Sequence, residues 1–463
     1  MKTKNFPTLF VTLAAFTSCT MAPKYTTPKA PVPFQEEDKN KEKITKISWD
    51  QYFETPDLQR VIRLALENNR DLRIANLNIE NSKAAHAIAR SNLFPTINAT
   101  ASTTRQGVPG AFAGFTPKKQ FRANLNTTSY EIDFFGRLQS LKKAALETFL
   151  ATEQARNVTR IALISETANS YAQFLLDSEI LNLAEENLAA QTQRYKYTEL
   201  RLQNGIDSTM DLLLAQTLLS AAISTRENYA KLVSQDKNAL MVLTGIFDEK
   251  SLPKLTDIND ITIKEELLDN IPSNALLSRP DIKQSEHVLK SKNANIGAAR
   301  AAFFPSITLT GSYGYASREM NSLFDSRTWV FTPQINLPIF TGGKNTANLK
   351  VAEIEKKIEI AQYEKTIQTA FSEASNELAA RDAAIKQLKA YNDVLKAREK
   401  SLTIYEHQHK AGIASGLTLL DIKIAALTAK QDQMSAKKEY IANLITLYKV
   451  LGGGSDIEED GDK

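Results

Sequence analysis

The stretch "ARSNLFPTINATAS" at Ala89–Ser102 returns about 210 residues later as "ARAAFFPSITLTGS" at Ala299–Ser312. Arg90, Phe94, Pro95, Ile97, Thr100 and Ser102 fall opposite Arg300, Phe304, Pro305, Ile307, Thr310 and Ser312. The likeness reaches in both directions. Asp71-Leu72 matches Asp281-Ile282, and "GIDSTMDLL" (Gly205–Leu213) is answered by "GIASGLTLL" (Gly412–Leu420). So long a unit is no solenoid repeat. The chain is a duplicated module, and its fold must use that module twice.

Each copy contains one very long helical tract. Residues 137–203 and 344–410 hold no Gly and no Pro. Apolar residues recur every seven: Ile161, Ala168, Leu175; Leu181, Leu188, Tyr195, Leu202; Leu388, Leu395, Leu402. These are coiled-coil seams. A helix of this size is roughly 100 Å long at 1.5 Å per residue, more than one globular domain uses. Breaks containing Gly205 and Gly412 let the chain reverse into a shorter helix.

Each copy also contains two strand candidates. In the second half Ile307, Leu309, Tyr313 and Tyr315 alternate with Ser306, Thr308, Thr310 and Ser312. Trp329, Phe331, Ile335 and Leu337 alternate with Thr328, Thr332, Gln334 and Asn336. Such segments suit a membrane β-barrel, apolar outside and polar inside. From alternation alone a soluble sheet with one wet face fits as well. The first half is weaker: Tyr130, Ile132 and Phe134 alternate with Glu131 and Asp133, but "TINATASTT" is mostly polar.

The N-terminus favours the membrane. "MKTKNFPTLFVTLAAFTSC" has two lysines, an apolar run and small residues before Cys19, the one cysteine. It reads as a secretory signal ending at a lipid-attachment site. "FTSC" resembles the bacterial lipobox, with Phe16 in place of the usual Leu. Several acyl chains (palmitate among them) on Cys19 anchor stably where one does not. Thr20 follows, not an Asp that would signal inner-membrane retention. Four strands leave two open edges, which lipid does not tolerate. Two chains close eight strands around a filled interior; three close twelve around a lumen. A net charge of +4 gives no argument for nucleic acid.

The expected organisation is a signal at 1–18, a lipid-anchored linker at 19–54, and two repeats at 55–260 and 261–451. Strands are expected near 94–106, 120–135, 303–317 and 328–340, and helical tips near 204–208 and 411–416. Residues 452–463 read as an acidic, disordered tail.

The assembled pattern resembles the TolC-like outer membrane efflux proteins, in the lipoprotein branch typified by OprM and CusC. The resemblance rests on "CTMAPKYTTP", "SRPDI" (Ser278–Ile282), "FFPSI", "LPIFTGG" (Leu337–Gly343) and the two glycine turns. It implies a homotrimer, with a twelve-stranded β-barrel in the outer membrane continuous with a twelve-helix periplasmic α-barrel. A mixed belt would be built from the termini and the Ile246–Ile263 linker. It implies a periplasmic adaptor and an inner-membrane pump of the resistance–nodulation–division class as partners. The implied function is an exit duct for small molecules such as drugs or metal ions. A duct for a type I protein secretion system and an envelope-bracing lipoprotein are the alternatives.

No catalytic constellation is visible. His407 and His409 are two apart on a helix and face different ways. "TGGKNT" is too short for a phosphate loop. No cofactor is expected beyond covalent lipid on Cys19. The functional residues are sought at the turns, where copies of a side chain ring a narrow axis. Leu417 and Asp421 stand where the OprM-like branch forms its periplasmic constriction. Gly205, Asp207, Ser208, Asp211, Gly412 and Ser415 mark the tips as adaptor-contact candidates. The plain alternative for Asp211 and Asp421 is a helix-start carboxylate favoured by the dipole.

Overall fold

The computed structural model describes residues 20–32, 47–105, 119–247, 257–265 and 273–454. Cys19 and the signal, like residues 455–463, lie outside the described residues. The elements in order are α1 (Trp49–Tyr52), α2 (Pro56–Asn68), α3 (Arg70–Ser91), β1 (Asn98–Arg105), β2 (Lys119–Ile132), α4 (Arg137–Gln203) and α5 (Thr209–Thr244). They continue with α6 (Pro280–Ala301), β3 (Ser306–Ser317), β4 (Arg327–Asn336), α7 (Lys344–Lys410) and α8 (Gly416–Val450). Each long helix, α4 and α7, has 67 residues. No described helix is long and apolar enough to cross a membrane.

The chain forms two compact units, and neither is one half of the repeat. The first comprises Met1–Lys29, Asn78–Glu153 and Gln284–Tyr363; the second comprises Ala30–Leu77, Gln154–Lys283 and Glu364–Lys463.

The first unit holds one antiparallel sheet, ordered β1-β2-β3-β4. All four strand–helix junctions lie at one end and the two hairpin connections at the other. The register sorts the side chains. Tyr313 pairs with Leu125 and Trp329, Tyr315 with Ala123 and Arg327, and Ile307 with Ile132 and Ile335. Register partners share a face, so these form the apolar face. Thr100, Asn124 and Gln334 belong to the polar face opposite.

A bulge breaks the alternation of β2, while the polar "TINATASTT" stretch supplies β1. Between Thr127 and Tyr130 the register slips by one residue against β3. Ser129 sits at the slip with φ 53°, and its N–H donates to Thr310 Oγ1 at 3.2 Å. Odd-numbered Phe121, Ala123 and Leu125 therefore share a face with even-numbered Tyr130 and Ile132.

The strands are shorter than expected at their helix ends. Phe94 and Phe304 close helix-terminal turns, with N–H bonds to Ser91 O and Ala301 O. Phe135 leaves β2 and stacks on Phe304 at 4.8 Å. Proline bars its predecessor from continuing the helix, and aromatic packing fixes the bend. Residues 22–27 run along α6. Tyr25 and Thr27 donate to Glu286, and Asn293 Nδ2 donates to Pro23 O at 2.8 Å. A Cβ on Gly297 would lie 2.7 Å from Ala22 N, so glycine admits this close approach.

The second unit has a core where α1, the linker and the end of α8 meet. Phe53 bridges Ile263, and Ile258 and Ile261 are buried beside Tyr52, Leu444 and Tyr448. Tyr52 stacks on Tyr448 at 4.7 Å, and its hydroxyl donates to Leu444 O at 2.9 Å. Gly452–Gly454, expected as the start of a tail, are instead buried. A Cβ on Gly453 would sit 2.3 Å from the Tyr448 ring. Gly452 and Gly454 have φ of +73° and +72° and turn the chain across that ring.

Candidate functional site: the two helix turns

Both turns have the same backbone. At the first, Gly205 takes φ +72°, its N–H bonds Leu202 O, and Ile206 N–H bonds Arg201 O. At the second, Gly412 takes φ +76°, its N–H bonds His409 O, and Ile413 N–H bonds Gln408 O. A left-handed residue reversing a helix end favours glycine. Ser208 and Ser415 then cap the next helices, their Oγ atoms accepting from Asp211 N and Thr418 N at 3.2 Å each.

The side chains differ. Arg201 grips Asp207 with two bonds of 2.9 Å. The Asp211 carboxylate accepts from the Ser208 hydroxyl and backbone N–H, closing a capping box. Those bonds, with the Arg201 charge behind them, hold the Asp211 carboxyl below the usual range. Asp211 is thus a capping residue. In the second turn Gln408, Ala414 and Thr418 replace Arg201, Asp207 and Asp211. His409 Nδ1 lies 2.9 Å from Ala414 O, so this histidine braces the loop.

Asp421 is in the second turn of α8, exposed, with Leu417 half-buried one turn before it. The carboxylate is not bare. Arg194 of α4 donates to its Oδ1 at 2.5 Å. This partner was not legible, because 227 residues separate the two.

Higher on the same helices lies a second titratable pair. Asp177 of α4 is buried and accepts from Gln173 Nε2 at 3.0 Å. Asp236 of α5 adjoins it, and Asp236 Oδ2 is buried without a donor. Burial and the Asp177 carboxyl push Asp236 up to about 7, against the pull of Lys438. The folded pKa exceeds the unfolded value of about 3.9. Stability from this site is therefore full below pH ~4 and falls as pH rises through about 7. Asp236→Asn is expected to flatten the decline of melting temperature between pH 5 and 8. The effect is on the order of 1 kcal/mol, since solvent screens a half-exposed carboxylate. An unchanged slope in the variant contradicts the assignment.

Comparison with known proteins places this geometry in context. Residues 61–246 and 271–453 match the outer membrane efflux protein family model, one match per half of the repeat. The toluene efflux pump outer membrane protein TtgC of Pseudomonas putida is 40% identical over 98% of this chain and 96% of its own length. Outer membrane protein OprJ of Pseudomonas aeruginosa is 34% identical, covering 95% of this chain and 94% of its own. Among solved structures, the open-state outer membrane channel MtrE of Neisseria gonorrhoeae superposes with a TM-score of 0.83 at 36% identity. That match covers 94% of this chain and 99% of MtrE.

Proposed function

The chain belongs to the outer membrane efflux protein family and is the outer-membrane component of an efflux system, and from that premise we propose how it works. Three copies close one barrel, and solutes leave passively through its polar lumen. The observation that carries this is the sheet itself: one face polar, one apolar, with β1 and β4 as open edges. Twelve strands abolish those edges and leave a lumen. Steady conductance of the purified protein in a planar bilayer tests this, beside its mass in detergent. A stable monomer, or no conductance from trimer, overturns it.

Relatives named for toluene, solvent and antibiotic efflux suggest small apolar or amphiphilic cargo. We assign the pump to the resistance–nodulation–division class, reached through a periplasmic adaptor. The two turns are the adaptor-facing tips. In this reading Leu417 and Asp421 form the resting constriction, an apolar ring beside a carboxylate ring.

Lipidation at Cys19 completes the proposal. Thr20, the next residue, hydrogen-bonds Ser140 at 3.1 Å, in the first helical turn after β2. Radioactive fatty acid is expected to label the protein and to miss Cys19→Ser. Equal labelling of both excludes the anchor.

A further inference from the structure

We propose that the hairpin end of the sheet binds a bisphosphorylated, multiply acylated glycolipid of the outer leaflet. The proposal rests on reading the apolar sheet face as the lipid-facing one. All four helix junctions lie at the opposite end, so the hairpin end faces outward.

Arg105 ends β1 and Lys119 begins β2, and they are direct register partners. They share the apolar face with Thr103, Phe121, Ala101 and Ala123. Like charges directly opposite destabilise a sheet unless an anion joins them. Arg105 has no ion pair among the described residues, and Lys119 lies over the Phe121 ring at 4.6 Å. The Lys119 ammonium is thus folded along the face that meets the acyl region. The connection from 106 to 118 carries no acid in its sequence.

A third cation, Arg327, begins β4 on the same face, opposite Tyr315. It is four residues along and two strands across from Lys119, roughly 17 Å between Cα atoms from strand rise and spacing. Long arginine and lysine side chains narrow that gap toward two phosphates carried on one disaccharide. Arginine holds phosphate with two parallel N–H bonds. The acids nearby, Glu319 and Asp325, lie on the β3–β4 connection and pair in register with none of the three.

Below Arg105 and Lys119, and level with Arg327, the face is hollow. A depression of about 460 Å³ is lined by Ala99, Ala101, Ala123, Leu125, Tyr313 and Phe324. Phe324 folds back from the β3–β4 connection and meets the Tyr315 ring edge-on at 5.3 Å. Small residues form the floor and rings the rim, which fits acyl chains. Phosphate above and hydrocarbon below is the chemistry of a phosphorylated lipid, and a soluble anion matches only half of it.

The test uses the full-length trimer in detergent, titrated with diphosphoryl lipid A and followed by native mass spectrometry. The comparison ligands are the same lipid with both phosphates removed, and phosphatidylethanolamine. The intact trimer is expected to bind the diphosphoryl form about tenfold more tightly than either. Arg105→Gln with Lys119→Gln removes that preference, whereas Arg122→Gln, on the polar face, keeps it. Equal binding of the dephosphorylated lipid, or an unaltered preference in the double variant, overturns the proposal. If the double variant does not assemble, the wild-type comparison of the two lipid forms still decides. Loss of the trimer peak in wild type would indict the barrel reading instead.

Discussion

Replacing Asp421 and Leu417 together with alanine is expected to raise the resting conductance of the trimer and weaken its cation preference. Arg194→Ala is expected to raise the conductance to a smaller extent while keeping the cation preference, since it uncovers the Asp421 carboxylates instead of removing them. The reasoning compares the two turns. The first is fastened by the Arg201–Asp207 fork and a capping box. The second has neither, only the Ser415 cap and the His409 brace. What ties α8 to α4 here is the Arg194–Asp421 pair, with both side chains partly exposed. An exposed pair contributes about 0.5 kcal/mol. Three symmetric copies then give about 1.5 kcal/mol, roughly a tenfold shift between closed and open populations. Removing the three carboxylates also removes the negative ring that favours cations. Opening by an adaptor follows the same arithmetic, since a partner shifts the equilibrium only by binding the open tips better. Single-channel recordings decide the matter. Unchanged resting conductance and selectivity in the double variant reject the gate, and a lowered melting temperature alone leaves Asp421 as a local helix support.

The long elements were legible because one signal ran through them without interruption. Tracts free of Gly and Pro became α4 and α7 with the same bounds, and the glycine turns fell where the repeat put them. The second-half strands were legible for the same reason: one alternation phase holds from Ile307 to Tyr315. Legibility failed where distant parts met or a phase changed. The bulge at Ser129 inverts the pattern of β2 midway, so its two halves contradict each other when read as one strand. Asn69 divides α2 from α3 with no Gly or Pro to mark the break. Its side chain caps Asp71 and Leu72 N–H and also donates to Leu243 O. The glycines at 452–454 look like a flexible tail until Tyr448 is placed beneath them. Arg194 carried no mark at all, because a polar residue on a long helix is ordinarily a solvated one.

Arg279→Ala is expected to lower the stability of the second unit by about 3 kcal/mol, more than any other single ionic change proposed here. The residue belongs to "SRPDI", which in sequence looked only like a family signature. In the fold it is a junction. Nε and Nη2 grip Asp281 at 3.0 and 2.7 Å, Nη2 also reaches Glu373 at 2.9 Å, and Nη1 donates to Val450 O at 2.8 Å. The start of α6, the middle of α7 and the end of α8 are thus held by one side chain, itself 8% exposed. Pro280 at the first helical position supports the geometry, since its missing N–H is one the helix does not use. Alanine would leave Asp281 with its own helix N–H bond and little else, and would strip the C-terminal carbonyl of α8 of its donor. An isolated surface pair such as Lys292–Glu355 is worth a fraction of this, because water replaces either partner. Lysine keeps the charge but offers no planar fork for three acceptors, so Arg279→Lys is expected to recover less than half of the loss. Thermal unfolding of the trimer measures both, and proteolysis after Val450 reports where the structure opens first. A melting temperature for Arg279→Ala within error of the unmodified protein would show that packing around Tyr52 and Tyr448, not the arginine, holds the three helices together.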